Sequence, residues 1–418
     1  MSTPSDPGTP KPPRQPRRTG PRIVLAVGLL VAVLVGANLA VKFWGTAGRL
    51  AEGVVEGSTD AAFYVPPSPV PAAAPGTLVR SEPIASAPAG SAAWRILYHS
   101  TDLNGADILV SGVVVAPDAA APVGGRPILS WGHPTTGSAA RCAPSIGDDP
   151  FDLIEGLSRF ISAGYVVAAT DYSGMGAPGP NSYLVGATEG ANVLDAARAA
   201  QQIEGTHAND VLALWGHSQG GQSVLFAAQE AASYAPEFEL RGVAVAAPAT
   251  NLAELLKADI GDVSGVSIGA YAFTAYASVY GPTTPGATLD SILTPPAAAV
   301  ADQMAALCLL GQNAELHTIA DPLIGHFLAV DPSTAQPWAA LLTENTPGRS
   351  RLDVPLFVAQ GDADELVRPE ITAQFVQSQR ALGTVVTSET IPGTGHGLVA
   401  VRALPALFTW LGSLGLPH

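Results

Sequence analysis

The chain has 418 residues, 47% of them hydrophobic, enough for one large domain with an insertion or for two domains, which excludes a wholly disordered polymer. A formal net charge of −15, with lysines only at positions 11, 42 and 257, excludes nucleic acid as a partner, because phosphate binding needs clustered cations. The acidity serves instead to keep an apolar protein soluble.

Residues 1–22 are Pro-rich and carry Lys11, Arg14, Arg17, Arg18 and Arg22 against the single acid Asp6, so they read as a disordered basic arm. Residues 23–41 follow without a charge, about the length of a membrane-spanning helix, with basic residues before them that favour an inside N-terminus. Two readings remain open. The segment is either a retained signal-anchor or a long signal peptide cut near Gly45-Thr46-Ala47, and its length favours the anchor. Both export the rest of the chain. Residues 42–75 form a Pro/Ala-rich linker ending in the stiff run 66–75.

A folded domain is expected over 76–418. Apolar runs 94–100 and 108–115 flank Asn104-Gly105 and read as an antiparallel hairpin. Runs 127–131, 165–169, 211–215, 242–246 and 354–359 then alternate with helical spacing over 151–163, 186–203 and 220–232. That alternation predicts an α/β protein, with a mostly parallel sheet covered by helices on both faces. Between about 250 and 350 the alternation stops, and an Ala-rich, Pro-punctuated stretch reads as an inserted helical cap. Cys142 and Cys308 are the only cysteines; in an exported chain they suggest a disulfide, the alternative being two buried thiols.

Gly216-His217-Ser218-Gln219-Gly220 fits the G-x-S-x-G nucleophile elbow, with the apolar strand before it and the helix after it that the motif requires. A serine hydroxyl needs a histidine to take its proton and a carboxylate to orient that histidine. His396, in a Gly-rich loop before the last helix, and Asp364, in the loop after the strand at 354–359, follow in the order this architecture uses, with Asp362 as the second choice of acid. His217 is expected to be structural, its side chain leaving the turn away from the serine. The oxyanion needs two backbone N–H donors: Gln219 supplies one. In the loop Trp131–Gly137, Pro134 has no N–H, which leaves Thr135, then Thr136, for the other.

These motifs, with Arg141–Ser145, Asp171–Gly176 and Gly361–Val367, resemble those of the secretory lipases of the α/β-hydrolase superfamily. The resemblance implies an α/β-hydrolase fold, a Ser218, Asp364 and His396 triad, a cap before the acid that shapes a lipid-binding tunnel, and a Cys142–Cys308 bridge. The pair His133-Pro134 departs from the His-Gly of many relatives. The expected activity is a carboxylic-ester hydrolase acting on lipid-like esters without metal or organic cofactor. Acyl transfer by the same residues, or a membrane-tethered binding protein that kept the fold without catalysis, are the alternatives.

Overall fold

The computed structural model describes residues 61–418. The expected basic arm, the apolar segment 23–41 and the linker up to residue 60 lie outside the described residues. Helix α1, Ala61–Tyr64, is a single turn whose Phe63 and Tyr64 are buried beside Leu97, Leu109 and Ala177. The Tyr64 hydroxyl lies 2.9 Å from Ser145 Oγ, and Arg80 donates to the carbonyls of Ala62 and Val65. The boundary drawn at residue 76 therefore falls too late. Two aromatic side chains, hidden in a Pro/Ala-rich context, anchor the stretch before it.

The sheet has nine strands: β1 Leu78–Pro83, β2 Ser91–Thr101, β3 Asp107–Pro117, β4 Arg126–Gly132, β5 Val166–Thr170, β6 Ala208–His217, β7 Glu239–Ala246, β8 Leu356–Gly361 and β9 Val386–Ile391. Their order is β1-β2-β3-β5-β4-β6-β7-β8-β9. β1, β2, β3 and β5 pair antiparallel, and the six strands from β5 to β9 run parallel. The hairpin closes at Thr101 opposite Asp107, with Gly105 at φ 75° supplying the left-handed residue of the turn.

Alternate strand residues face opposite sides, as a two-residue repeat requires. Val115, Trp131, Ala169, Trp215, Ala246 and Phe357 pack on one face against α2 (Leu157–Ala163) and the last helix. Val114, Ile128, Val166, Leu214, Val245 and Val358 pack on the other against α3 (Gly186–Gln201) and α4 (Gln219–Tyr234). The first helix of the parallel part is shorter than the 151–163 expected. Gly156, left-handed at φ 95°, precedes its first turn, and Phe151–Gly156 run as turns.

Between β7 and β8 the insertion is helical: α5 Leu252–Asp259, α6 Val263–Tyr280, α7 Pro295–Ala305, α8 Leu309–Ala320 and α9 Trp338–Glu344. Asn251 and Asp262 cap α5 and α6 by accepting amide protons at 3.3 Å from Glu254 and at 2.8 and 3.0 Å from Ser264 and Gly265. Its buried side chains are continuous with the core on one sheet face. After β8, α10 (Pro369–Ala381) leads to the edge strand β9, and α11 (Val399–Ser413) closes the chain. Among the described residues no helix is long and apolar enough to cross a membrane.

Candidate active site

Ser218 sits where β6 meets α4, with φ 58° and ψ −118°, a backbone conformation that a non-glycine residue adopts only under constraint. The constraint is visible on both sides. The Ser218 amide donates to the Ala246 carbonyl at 3.0 Å, and its carbonyl accepts from Ala249 at 3.1 Å. The turn also needs glycine: a Cβ on Gly220 would stand 1.9 Å from the Gly132 carbonyl oxygen, and one on Gly216 2.2 Å from that of Gly220. The small residues of the motif thus let β4 and β6 approach the start of α4.

The three residues of the expected triad are brought together. His396, opening a short turn after β9, has Nε2 2.9 Å from Ser218 Oγ and Nδ1 2.9 Å from Asp364 Oδ2. Asp364 is buried, yet it is well supplied with donors. Oδ1 accepts from the amides of Leu366 (3.0 Å) and Val367 (2.9 Å), and Oδ2 also accepts from Gln360 Nε2 (3.2 Å). Burial pushes its pKa up, but the hydrogen bond from His396 and those amides outweigh it and hold the carboxyl below its usual range. Burial pushes the His396 imidazole down, against the pull of Asp364, and the net direction is down. A neutral imidazole between a hydroxyl and a carboxylate can take a proton from one while the other fixes its tautomer.

Asp362 is elsewhere. It is exposed and accepts from the Gly393 amide at 2.6 Å, so it braces the histidine loop from outside. His217 does not point to Ser218, but neither does it lie apart from the site. Its ring is 4.9 Å from that of His396 and its Nδ1 3.0 Å from Glu155 Oε2.

Gln219 opens α4, where the first amides of a helix have no intrahelical acceptor and point toward the turn. Thr135 lines the same cleft as Ser218 and Gln219, its hydroxyl 2.8 Å from that of Tyr183. Thr136 is buried and faces the cap instead. Its hydroxyl donates to the Cys142 carbonyl at 2.8 Å and its carbonyl accepts from the Leu309 amide at 2.9 Å. Cys142 and Cys308 are joined by a disulfide that ties this loop to the cap. The Arg141 guanidinium donates to the Ala306 carbonyl alongside it.

The cleft is mostly apolar, with Leu252, Leu255, Ile268, Phe273, Leu342 and Val367 in its walls. One acid interrupts them. Burial pushes Asp259 up to about 7, although Arg368 lies 3.6 Å away and draws it down. Among the described residues no cluster of three His, Cys, Asp or Glu side chains could hold a metal ion.

Sequence reasoning missed Glu189, Tyr183, Glu155 and Asp259. Glu189 offered little signal, since a lone acid in the first turn of a helix reads as a favourable partner of the helix dipole.

The secretory lipase family profile matches residues 153–413. The chain belongs to the secretory lipase family. A Mycobacterium tuberculosis protein named a probable inactive lipase, MT1628, is 28% identical over 210 residues, 46% of each chain. Lipase A of Moesziomyces aphidis is 26% identical over 227 residues, covering 51% of this chain and 47% of its own. The secreted triacylglycerol lipase LIP7 of Malassezia globosa is 27% identical over 262 residues, 57% of this chain and 53% of its own. The chain thus spans about half the length of the curated relatives it matches.

Two solved structures share the fold. Candida antarctica lipase A in its closed state superposes with a TM-score of 0.71 at 19% identity, covering 86% of this chain and 87% of that one. The rice cell wall degrading esterase LipA from Xanthomonas oryzae gives 0.66 at 23%, covering 82% and 97%. The α/β-hydrolase fold expected from the sequence is the fold of the molecule.

Proposed function

We propose that the protein is an exported serine hydrolase that cleaves carboxylic esters with an apolar acyl group through an acyl-enzyme on Ser218. The observation that carries this reading is the unbroken line from Ser218 Oγ through His396 to Asp364, with both links at 2.9 Å. His396 Nε2 takes the Ser218 proton as Oγ attacks the ester carbonyl, and Asp364 stays ionised and holds the imidazolium in place. The amides of Gln219 and Thr135 receive the oxyanion. The proton then passes from His396 to the departing alkoxide, and water activated by the same imidazole releases the acid. No step calls for a metal or organic cofactor.

The apolar cleft supports a lipid-like acyl chain, in keeping with the triacylglycerol lipase named among the relatives. Another relative bears the name of an inactive lipase, which keeps a binding role as the contrary outcome. The test is a series of p-nitrophenyl esters of increasing acyl length, assayed with wild type, Asp364→Asn and Asp362→Asn. Hydrolysis should rise with acyl length to an optimum, and only the Asp364 variant should lose it. Loss in the Asp362 variant alone would displace Asp364, and no hydrolysis of any ester by the folded wild type would favour binding. Membership of a family of secretory lipases supports export. That residues 23–41 stay attached as an anchor is part of the same proposal, checked by the mass of the mature N-terminus.

A further inference from the structure

A second carboxyl is buried beside the Ser218 turn, and the chemistry just described does not use it. Glu189, in the first turn of α3, is 0% exposed. Two donors reach it, Gln219 Nε2 at 2.7 Å and the Leu184 amide at 3.0 Å, and both go to the same oxygen, Oε1. Oε2 is buried with no donor, and so are the side-chain carbonyl oxygens of Gln219 and Gln222. Buried acceptors without donors are costly, most of all when one belongs to a charged group. A single proton repairs the pattern. On Oε2 it makes a hydroxyl donor, and Gln219, whose Nε2 already donates to Oε1, has the unpartnered oxygen that the two-bond match between a carboxylic acid and an amide would use.

The surroundings offer no compensating cation. The groups that face Glu189 are the hydroxyls of Tyr172, Tyr183 and Tyr276 and the side chain of Gln219. His133, stacked on Tyr172 at 4.4 Å, is itself pushed down to about 4 by burial and so is neutral. Farther along α3, Arg198 is taken by Asp195 at 2.7 Å and Glu237. Burial accordingly pushes Glu189 up to about 8.

We infer that Glu189 is held as the neutral acid and that its pairing with Gln219 is a positioning device for the oxyanion site. This rests on the reading of Gln219 as an oxyanion donor. Gln219 directly follows Ser218, so fixing its side chain fixes the peptide whose N–H would receive the oxyanion. The same carboxyl also holds Leu184, a cleft residue at φ 57° whose carbonyl accepts from Gln222 Nε2 and from the cap residue Tyr276, each at 3.0 Å. One protonated side chain therefore pins the donor, the cleft wall and a cap contact together. Ionisation of Glu189 would break the acid–amide match and place a negative charge beside a developing one, so it would act against the transition state twice.

The experiment compares the full chain with Glu189→Gln and Glu189→Ala, following ester hydrolysis from roughly pH 6 to 10 and the infrared C=O stretch of protonated carboxyls. The variant Glu189→Gln keeps a neutral donor and acceptor of nearly the same shape. Wild type should lose about tenfold in kcat above pH 8, Glu189→Gln should show no such alkaline fall, and Glu189→Ala should lose about tenfold in kcat at pH 7 with KM little changed. Because Asp259 is also raised, to about 7, the reading is the difference between the two proteins: wild type near pH 7 should show a neutral-acid stretch in the difference spectrum against Glu189→Gln. A wild type that hydrolyses esters but lacks the stretch, or an alkaline fall with the same midpoint in Glu189→Gln, would overturn the inference. The infrared reading needs no turnover, so a wild type that shows the stretch and hydrolyses nothing counts against the esterase proposal instead.

Discussion

The two walls that flank Ser218 bury a carboxyl each and treat it in opposite ways. On the imidazole wall, built by the loops after β8 and β9, Asp364 receives donors on both oxygens and its pKa is held down. On the amide wall, built by the loop after β4 with α3 and α4, Glu189 receives donors on one oxygen only and is pushed up to about 8. Burial alone decides neither case. The number and placement of donors decide whether a buried acid stays charged to orient an imidazole or turns neutral to hold an amide. The walls also differ in what secures them. The amide wall is tied covalently to the cap through the Cys142–Cys308 bridge, with the Thr136 carbonyl beside it, whereas the imidazole wall meets the cap through non-covalent contacts such as Arg368 donating to the Ala258 carbonyl at 2.9 Å, and is braced from outside by Arg402 donating to Thr394 Oγ1 at 2.7 Å.

The largest expected effect strikes the charged acid. Asp364→Asn keeps the shape but removes the charge that selects the imidazole tautomer, and kcat in ester hydrolysis should fall about 10⁴-fold with the fold intact by circular dichroism. A loss under tenfold would erase the contrast between the two acids. Next comes the bridge: Cys308→Ser opens a loop spanning 166 residues, so denaturant unfolding should show a stability loss on the order of 2 to 5 kcal/mol, with activity reduced before global unfolding as the Thr135 loop loosens. Equal persistence of activity up to the unfolding midpoint would mean that the amide wall does not depend on the cap.

The pH dependence of stability should separate the acids by sign. Asp364, with its folded pKa lowered, contributes stability that is present above its unfolded value and is lost as acid protonates it. Glu189, raised from 4.5 to about 8, does the reverse, and its contribution is lost as pH climbs through that window. Glu189→Gln should therefore melt several degrees above wild type at pH 8 and close to it at pH 4; the same difference at both would contradict the raised value. The smallest effect is in the acid limb of kcat/KM. Since His396 is lowered from 6.5, half-maximal activity should fall on the acid side of that value, and a midpoint above it would show that Asp364 outweighs burial.

Much of this was legible in the sequence, for physical reasons that also explain the gaps. Buried parallel strands such as Leu212–Trp215 and Leu356–Ala359 are apolar on both faces and stand out, and the elbow declares itself by the glycines its close approach demands. Edge strands do not. β9, Val386–Ile391, is largely exposed, and β1, Leu78–Pro83, carries Arg80, Ser81 and Glu82, so neither shows an apolar run. Ser218, His396 and Asp364 could be placed because each is tied to a loop of recognisable composition. Glu189 and the Glu155–His217 contact could not, since the first depends on which atoms lack partners after folding and the second on a pairing of residues far apart in the chain, and helical spacing carries no trace of either. The proposal of Thr135 as the second donor rests on removing Pro134, an argument about available N–H groups that needs no coordinates.

The central claim is that Ser218 is a nucleophile activated by His396, and covalent labelling reads it directly. With a fluorophosphonate probe and peptide mapping, the wild type should carry one adduct, on Ser218, while Ser218→Ala carries none and His396→Ala reacts at least about a hundredfold more slowly. A folded wild type that takes up no probe, or an adduct that survives in Ser218→Ala, would contradict the account.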